Sequence, residues 1–382
     1  MPASRQRTAR PLPPAAPGGG GDAPRGCVER LYSLEFRGYP PIGMSVLTPL
    51  GFTLLRELAD GAFHSGEDLA AKVGLTRARV SQVLKEAEAS GLALERIKGR
   101  GYRLLEAPGF LDAEVIRRLL AELAAARPAG APIAPIAVEV VDQIESTSSE
   151  LSRRSQRRDI HGMLLAAEWQ TAGRGRRGRS WTAVAGGSLT FSLGWRFEQG
   201  AGFLAGLSLA VGVAVVRALE AEGFRDVALK WPNDLVHRHH KLGGILIDLN
   251  GDALGPSVVV IGVGINVRLP ASVRAEIPVP ATDLTSVAAR RMLPVDRNRV
   301  LARLVDELSA TLAQYAAEGF APFAAEWQRR HAYQGKMVKL LLPDGATVTG
   351  KVAGVDASGA LVLADGPRRA RFLAGEISLR RA

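Results

Sequence analysis

The stretch Gln170-Thr-Ala-Gly-Arg-Gly-Arg-Arg-Gly-Arg179 interleaves four arginines with three glycines. Before it, the apolar run Met163 to Glu168 is typical of a buried strand, and after it the alternating pattern from Ser188 to Trp195 predicts another. Glycines admit positive φ and close backbone approach, and guanidinium groups match phosphate or carboxylate. Between two core strands, such a loop predicts a lid over a small anionic ligand. The alternative is a solvated basic run or a nucleic-acid-binding tail.

Composition sets limits on the class of protein. A chain of 382 residues with 47% hydrophobic residues is long enough for two or three domain cores. Its net charge of +11 favours a polyanionic partner, either nucleic acid or a phosphorylated ligand, although biased base composition also enriches arginine. The single cysteine, Cys27, excludes an intramolecular disulfide and a thiolate metal cluster, so we expect a cytoplasmic protein. The longest uncharged run, Gly200 to Val216, contains several glycines and predicts a buried helix rather than a membrane span.

The first 43 residues are rich in proline, glycine and arginine, a composition that predicts a disordered tail. They lack the apolar core of a secretory signal. Met44 stands where patterned sequence begins, and our hypothesis is that translation starts there. The intact mass of the native protein tests this hypothesis, since residues before Met44 would contradict it.

Residues 44–106 carry the pattern of a winged helix-turn-helix. Three helices are predicted: one opened by Pro49, one capped by Ser65 and one capped by Thr76. A hairpin across Lys98-Gly-Arg-Gly101 follows as the wing. The alternative is a module of the same shape used only for packing or protein contacts. The residues predicted to contact DNA are Arg77, Arg79, Ser81, Gln82 and Lys85 on the third helix and Lys98 and Arg100 on the wing.

Three further segments follow along the chain. Residues 107–135 are a helix and a proline-rich linker, and residues 136–330 alternate strands and helices. Residues 331–382 contain short strands separated by glycine turns, which predict a small SH3-like β-barrel. The predicted fold class is therefore α+β, with a winged helix-turn-helix, a central mixed α/β domain and a terminal barrel.

The central segment places polar residues at the ends of predicted strands. Lys230 ends one strand before Pro232, with Asn233 and Asp234 directly after it, where ligands of α/β sheets commonly lie. Lys241 enters the next strand. A single lysine at such a position is usually a surface residue, but two lysines beside Asp234 predict a site where cations meet phosphate.

Other motifs of the segment are less specific. Glu145-Ser-Thr-Ser-Ser149 supplies hydroxyls whose simplest role is to cap a helix. Gly262-Val-Gly264 precedes Asn266 at the end of a buried strand and allows close approach of a ligand, although one such glycine pair is weak evidence. His237, His239 and His240 raise the possibility of a metal site, but no carboxylate or cysteine stands at ligand spacing, so we predict solvated side chains and no metal centre.

Taken together, these motifs resemble those of the biotin protein ligases. The resemblance rests on Ser146-Thr147, the arginine loop Gln170 to Arg179, Lys230-Trp-Pro-Asn-Asp234, Lys241-Leu-Gly-Gly-Ile-Leu246, Gly262-Val-Gly-Ile-Asn266 and Gly375-Glu-Ile-Ser-Leu-Arg380, and it covers about residues 45 to 382. The predicted winged helix makes the chain similar to the bifunctional class that is both ligase and biotin operon repressor. The resemblance implies that biotin and MgATP give biotinyl-5′-AMP, which then acylates a lysine of biotin carboxyl carrier protein.

The resemblance also implies roles for individual residues. Lys241, Asp234 and Arg176 would be catalytic, with Lys241 between the biotin carboxylate and the α-phosphate. The biotin contacts would be Ser146, Thr147, Ser148, Gln170, Gly173, Arg174, Gly175, Arg176 and Lys241. The ATP and adenylate contacts would be Arg176, Arg177, Arg179, Trp181, Lys230, Asn233 and Asn266. Ser148 stands where the family commonly has asparagine.

Partners follow from the same resemblance: the carrier domain of acetyl-CoA carboxylase and other biotin-dependent carboxylases, operator DNA, and a second copy of the chain when biotinyl-5′-AMP is bound. No structural metal and no membrane partner are expected, and Mg²⁺ would accompany ATP. Two alternatives are an effector-gated repressor without enzymatic activity, which would not require Lys241, and a lipoate-type ligase, which should lack the Lys-Trp-Pro-Asn-Asp pattern.

Overall fold

The computed structural model describes residues 48–89, 92–105, 109–127, 135–251, 255–289, 295–373 and 376–378. The proposed tail and the start at Met44 lie outside these ranges. Within them, no helix combines the length and the apolar character needed to cross a membrane.

The first part of the described chain is three helices followed by a two-stranded hairpin. Ser65 and Thr76 cap the second and third helices as the sequence predicts, since each hydroxyl accepts a backbone N–H of the first turn, at 3.0 and 3.3 Å. The two strands of the hairpin pair antiparallel around its glycine turn. The elements are α1 (Pro49–Glu57), α2 (Gly66–Val73), α3 (Arg77–Ala89), β1 (Leu94–Ile97) and β2 (Gly101–Leu104).

A buried ion pair holds the connection between this part and the next. Arg297 and Glu168 lie 2.8 Å apart and are 2% and 0% exposed. Arg297 also donates to the Gly109 carbonyl at 3.0 Å, and Glu168 accepts the Leu111 N–H at 2.5 Å. Helix α4 (Ala113–Ala125) begins directly after this point, capped by Asp112.

The central domain is built on a seven-stranded mixed sheet of order β3-β4-β5-β9-β8-β7-β6. The β3–β4 pair is parallel and the other pairs are antiparallel, which confirms the predicted mixed α/β domain. Its elements are β3 (Ala137–Ile144), α5 (Thr147–Ser155), β4 (Met163–Gln170), β5 (Ser188–Phe197), α6 (Leu207–Ala221), β6 (Val227–Lys230), β7 (Asp234–His237), β8 (His240–Gly251) and β9 (Ser257–Asn266).

Strand alternation gives the sheet two different faces. Leu189, Phe191 and Leu193 of β5 point into the main core, where α6 and α9 cover the sheet. The intervening positions are small or polar, so this second face is left for α5 and the arginine loop. The remaining helices are α7 (Ala271–Glu276) and α8 (Leu284–Ala288), neither of which the sequence reading predicts, and α9 (Arg297–Glu318) and α10 (Ala321–Arg330).

The last part is an antiparallel five-stranded sheet of order β13-β12-β11-β10-β14. It packs against the central domain beside the Lys-Trp-Pro-Asn-Asp turn, where the Trp231 indole N–H donates to the Gly359 carbonyl at 3.1 Å. Its closure into a barrel stays a prediction. The strands are β10 (Met337–Leu341), β11 (Thr347–Val355), β12 (Leu361–Asp365), β13 (Arg368–Phe372) and β14 (Glu376–Ser378).

Candidate active site

Small side chains occupy adjacent positions on the second face of the central sheet, and we call this strip the trough. Its floor consists of adjacent strand positions with small side chains: Ser192 of β5 pairs with Gly262 of β9, and Gly264 pairs with Gly244 of β8. A Cβ placed on Gly262 would meet no atom nearer than 3.5 Å, an ordinary contact distance. Gly262 therefore leaves space above the sheet, whereas the Trp181 ring occupies the position above Gly264.

The amino-terminal end of α5 forms one wall of this trough. Ser146 caps the helix, as the simplest reading of the hydroxyl-rich segment predicts, and its hydroxyl lies 3.1 Å from that of Ser148. Thr147 donates its N–H to the Gln170 side-chain carbonyl at 2.7 Å, and its hydroxyl lies 2.8 Å from that of Ser192. Four of these polar residues are nearly fully buried, as a site prepared for a neutral polar ligand would be.

Trp181 forms the opposite wall. Its indole lies against the backbone of Gly264, where a Cβ would come within 2.5 Å of the ring. Glycine at this position therefore permits the contact. The half-buried ring presents its aromatic surface beside the trough, which suits stacking on a planar ligand such as a purine.

The arginine loop crosses above the trough and closes on itself. The Gly175 N–H donates to the Arg179 carbonyl, and the Trp181 N–H donates to the Gly173 carbonyl, both at 2.7 Å. A Cβ on Gly173 would lie 2.6 Å from the Trp181 carbonyl oxygen, so this close approach requires glycine. Arg177 adopts φ 58° between Arg176 and Gly178, a conformation that costs free energy for a non-glycine residue.

Two arginines of the loop contact the sheet. Arg174 makes two hydrogen bonds to Asp248, at 2.8 and 3.3 Å. Arg176 donates to the Asn233 side-chain oxygen at 3.1 Å, while the Asn233 amide donates to the Ile245 carbonyl at 2.7 Å. Arg177 and Arg179 are exposed. The loop therefore brings Arg176 to the turn that also carries Asp234.

A cluster of charged side chains lies at one end of the trough. Lys241 Nζ lies 2.8 Å from Asp234 Oδ1, and Lys230 Nζ lies 3.9 Å from Asp234 Oδ2. The three side chains are 20–28% exposed, which leaves the ammonium groups accessible to a ligand. The structure thus brings together Lys230, Lys241 and Asp234, which the sequence predicts to share one site. Two cations around one carboxylate leave net positive charge for an anion.

Asn266 lies behind this cluster and contacts protein backbone. Its side-chain amide donates to the Thr282 carbonyl at 3.0 Å, and the Thr282 N–H donates to the Lys241 carbonyl at 2.9 Å. This arrangement fixes the start of β8, and with it the direction of Lys241. Asn266 therefore holds the site together, and a nucleotide contact by the same residue stays a prediction.

Three residues of the site lie outside the motifs recognised in the sequence. Ser192 is signalled only by the alternation of polar and apolar residues along β5. Asp248 lies seven residues beyond Lys241 and outside any motif. Tyr333 comes from the connection to the last sheet, and burial, with a smaller effect from Asp234, raises the pKa of its phenol.

Of the three histidines in the β7–β8 hairpin, His239 and His240 are exposed and His237 is half-buried. His237 and His240 donate from Nδ1 to backbone carbonyls, at 3.1 and 3.0 Å. Among the residues that the structure describes, no three histidine, cysteine or carboxylate groups are placed to hold a metal ion.

The residues predicted to contact DNA lie on α3 and the hairpin. Arg77, Gln82, Lys85, Lys98 and Arg100 are exposed, whereas Arg79 and Ser81 are half-buried. The Arg77 side chain pairs with Glu67 at 2.9 Å, and the Arg100 guanidinium lies 4.3 Å from the centre of the Phe63 ring. The structure thus presents most of them at the surface, and contact with DNA stays a prediction.

Two protein families and several known proteins match this chain. The Biotin/lipoate A/B protein ligase family matches residues 140–266, and the Biotin protein ligase C terminal domain matches residues 333–380. The bifunctional ligase/repressor BirA of Salmonella typhimurium is 35% identical over 336 residues, which are 88% of this chain and 99% of that protein. The biotin--[acetyl-CoA-carboxylase] ligase of Mycobacterium tuberculosis is 37% identical over 63% of this chain and 88% of its own length.

A solved structure agrees with these relatives. Biotin protein ligase from Aquifex aeolicus, in complex with biotin and ATP, has a TM-score of 0.54 and 30% identity, covering 64% of this chain and 99% of that one. The bifunctional relative from Salmonella typhimurium is thus matched over 99% of its own length. The chain belongs to the biotin protein ligase family, in the class of the bifunctional ligase/repressors.

Proposed function

We propose that this protein activates biotin with ATP to biotinyl-5′-AMP and transfers the biotinyl group to a lysine of biotin carboxyl carrier protein. The observation that carries the proposal is the Lys241–Asp234–Lys230 cluster at the end of a polar trough, beneath a loop of four arginines. The relatives named for biotin ligation supply the substrate class.

The trough accommodates the two substrates side by side. The biotin head group binds between Ser146, Thr147 and Gln170, whose hydrogen-bonding groups converge on the Ser192 end. The adenine lies beside Trp181, and the carboxylate and phosphates point to Lys241. The arginine loop covers both, with Arg176, Arg177 and Arg179 toward the phosphates and Arg174 over biotin.

In the first step, a biotin carboxylate oxygen attacks the α-phosphorus of ATP, and the bond to the bridging oxygen of pyrophosphate breaks. Two anions must approach each other, and the Lys241 ammonium offsets their repulsion and stabilises the negative charge on the phosphoryl oxygens. Asp234 holds Lys241 in place through the 2.8 Å ion pair. Arg176, fixed by Asn233, contacts the same phosphate.

In the second step, the neutral amine of the carrier lysine attacks the acyl carbon of the mixed anhydride, an amide forms and AMP leaves. The attacking ammonium must first lose a proton to solvent or to Asp234, the carboxylate that lies between Lys230 and Lys241. We infer that Asp234 orients the incoming amine once Lys241 has turned toward the phosphate.

Mg²⁺ fits this site as an ion carried by ATP. The donor set offers one carboxylate, Asp234, which already faces two lysines, so the phosphates must supply most of the ligands. When bound, Mg²⁺ neutralises phosphate charge; the residues of this chain orient the substrates and contact the α-phosphate.

A second activity rests on the first part of the chain. We propose that residues 44–106 form a winged helix-turn-helix that binds operator DNA and that the last sheet closes as an SH3-like barrel. Two relatives that are matched over 99% and 97% of their own length are named as bifunctional ligase/repressors, which supports the repressor role.

We further propose that biotinyl-5′-AMP promotes a homodimer through the β3 edge of the central sheet. Sedimentation at saturating adenylate that shows only monomers would contradict the dimer. With one cysteine and no described membrane-spanning helix, we assign the protein to the cytoplasm.

The decisive experiment incubates the protein with biotin, MgATP and a carrier domain and measures the mass of the carrier. We expect one added biotinyl group on the carrier and release of pyrophosphate. Pyrophosphate release with lipoate but not biotin would favour a lipoate-type ligase, and binding of biotin without pyrophosphate release would favour a repressor that is not an enzyme.

A further inference from the structure

The ion pair between Arg174 and Asp248 spans the trough. Arg174 follows β4 by four residues, whereas Asp248 lies on β8. In the order β4-β5-β9-β8 these strands are three positions apart, about 14 Å at the usual strand spacing. The side chain of Arg174 and the loop that carries it therefore cross the part of β5 and β9 that forms the trough floor.

The face on which Asp248 lies supports this geometry. Along β8, Gly244, Leu246 and Asp248 alternate with Ile245 and the other core-facing residues. Leu246 pairs with Gly262, so Asp248 stands one alternate position further along the trough. Its carboxylate is on the ligand face and 19% exposed, at the far rim as seen from β4.

The glycines of the loop disfavour any single position of the loop. Glycines at three of its ten positions increase the number of conformations available to the open state. The Arg174 contact with Asp248 is bidentate and joins opposite charges. Charge-assisted paired bonds are the stronger and more directional kind.

We propose that Asp248 is a positioning residue that keeps the arginine loop closed over the bound adenylate by pairing with Arg174. This inference rests on the proposed ligase activity. In it, Asp248 contacts neither biotin nor ATP; it acts through Arg174, and its carboxylate sets how long the reactive mixed anhydride stays enclosed. The pair is partly exposed, so it opens often enough to admit substrate and to deliver adenylate to the carrier.

The test measures the dissociation rate of labelled biotinyl-5′-AMP from the full-length protein. Asp248→Asn keeps the shape and removes the charge, and Arg174→Gln removes the other partner. We expect each single variant to release adenylate about three- to tenfold faster, since partly exposed pairs stabilise modestly. The double variant should release adenylate no faster than Arg174→Gln alone, because Asp248 acts only through Arg174.

Ionic strength gives an independent measurement. Salt screens a partly exposed ion pair. Raising the salt from 0.05 to 0.5 M should therefore speed adenylate release from the wild-type protein by a factor on the order of that caused by Asp248→Asn. The release rate of Asp248→Asn itself should change less. Glu198→Gln, which breaks the exposed Glu198–Arg196 pair at 3.1 Å, is the matched control and should leave both rates unchanged. Melting temperatures establish that each variant folds.

The outcomes separate this inference from the proposed function. If the wild-type protein releases no pyrophosphate with biotin and ATP, the ligase assignment fails. If it does, and Asp248→Asn retains adenylate as wild type does, the positioning role of Asp248 is wrong. Additive effects of the two substitutions, or weaker initial biotin binding in Asp248→Asn alone, would show that Asp248 contacts the ligand directly and would also overturn the inference.

Discussion

At the scale of single residues, Lys241 owes its position to backbone contacts on both sides. Its N–H donates to the Pro280 carbonyl at 2.7 Å and its carbonyl accepts the Thr282 N–H. These bonds hold the strand whether or not the side chain is present. The ammonium itself contributes an ion pair with Asp234 that is partly exposed, which stabilises a folded protein little.

We therefore expect Lys241→Ala to fold normally. Its rate of adenylate formation should fall by at least about 100-fold, the usual effect of removing one donor to a developing charge. Weak biotin binding should persist. Pyrophosphate release measures the first step, and Lys351→Ala, an exposed lysine of β11, is the control. Wild-type turnover of the Lys241 variant would contradict the assignment.

His331 is a second residue whose surroundings determine its chemistry. Its Nε2 lies 3.4 Å from the Trp231 N–H, and its ring stacks on Trp327 with centroids 4.5 Å apart. Burial lowers its pKa to about 3. Between about pH 6.5 and 3 the unfolded chain binds a proton at this histidine and the folded chain does not.

This difference predicts that the free energy of unfolding falls as the pH falls through that window, by about 1.4 kcal/mol per pH unit for this one group. Above pH 6.5 the histidine has no effect on the slope. His331→Gln keeps an acceptor for the Trp231 N–H and removes the titration, so its denaturant midpoints should depend less on pH. His240→Gln, exposed on the hairpin, should retain the wild-type slope.

At the scale of elements, the arginine loop has a different function from the strands that flank it. The strands supply the floor, whereas we expect the loop to enclose the mixed anhydride, which water or any amine would attack. Arg176 joins the loop to the turn that carries Asp234, through Asn233.

Arg176→Gly should therefore still synthesise biotinyl-5′-AMP but release it early. We expect lower apparent biotin affinity and biotin on lysines of unrelated proteins, since free adenylate acylates amines without selection. Blotting of a bystander protein mixture after incubation with biotin and MgATP measures this release. Labelling confined to the carrier, with a wild-type dissociation rate, would mean that the loop does not act as a lid.

Much at this scale could be predicted from local sequence. The capping hydroxyls of Ser65 and Thr76, the glycine turn of the wing and the alternation along β5 each depend on neighbouring residues, so the sequence reading locates these elements. Helices α7 and α8 are six and five residues long, too short for a periodic pattern, and were not predicted. The motifs also predict the cluster of Lys230, Asp234 and Lys241.

Contacts between distant residues could not be predicted in this way. Asp248 is 74 positions from Arg174 along the chain and becomes its neighbour only through the strand order of the sheet. Glu168 and Arg297, 129 positions apart, meet for the same reason. No local pattern of apolar residues or turns specifies which charge will face which.

At the scale of the whole molecule, the first three helices stand apart in sequence from the trough. We predict that Arg79→Ala weakens operator binding and lowers its salt dependence while leaving biotin ligation unchanged, because α3 contributes no residue to the site. Electrophoretic shift and carrier-mass assays on the same preparation test both activities. Arg118→Ala, exposed on α4, is the control, and equal loss of both activities would argue against separate roles.

The buried pair of Glu168 and Arg297 limits where this chain is divisible. Both side chains form hydrogen bonds with the backbone of residues 109–111. The peptide that follows the hairpin therefore supplies hydrogen-bond partners to two charges buried in the central domain. A fragment that starts at residue 135 would lose those partners and α4 together, and would leave a carboxylate and a guanidinium short of hydrogen bonds in the interior. A fragment without the first three helices and the hairpin must therefore keep the chain from residue 109 onward. We expect this short segment to belong to the ligase although it precedes the proline-rich linker.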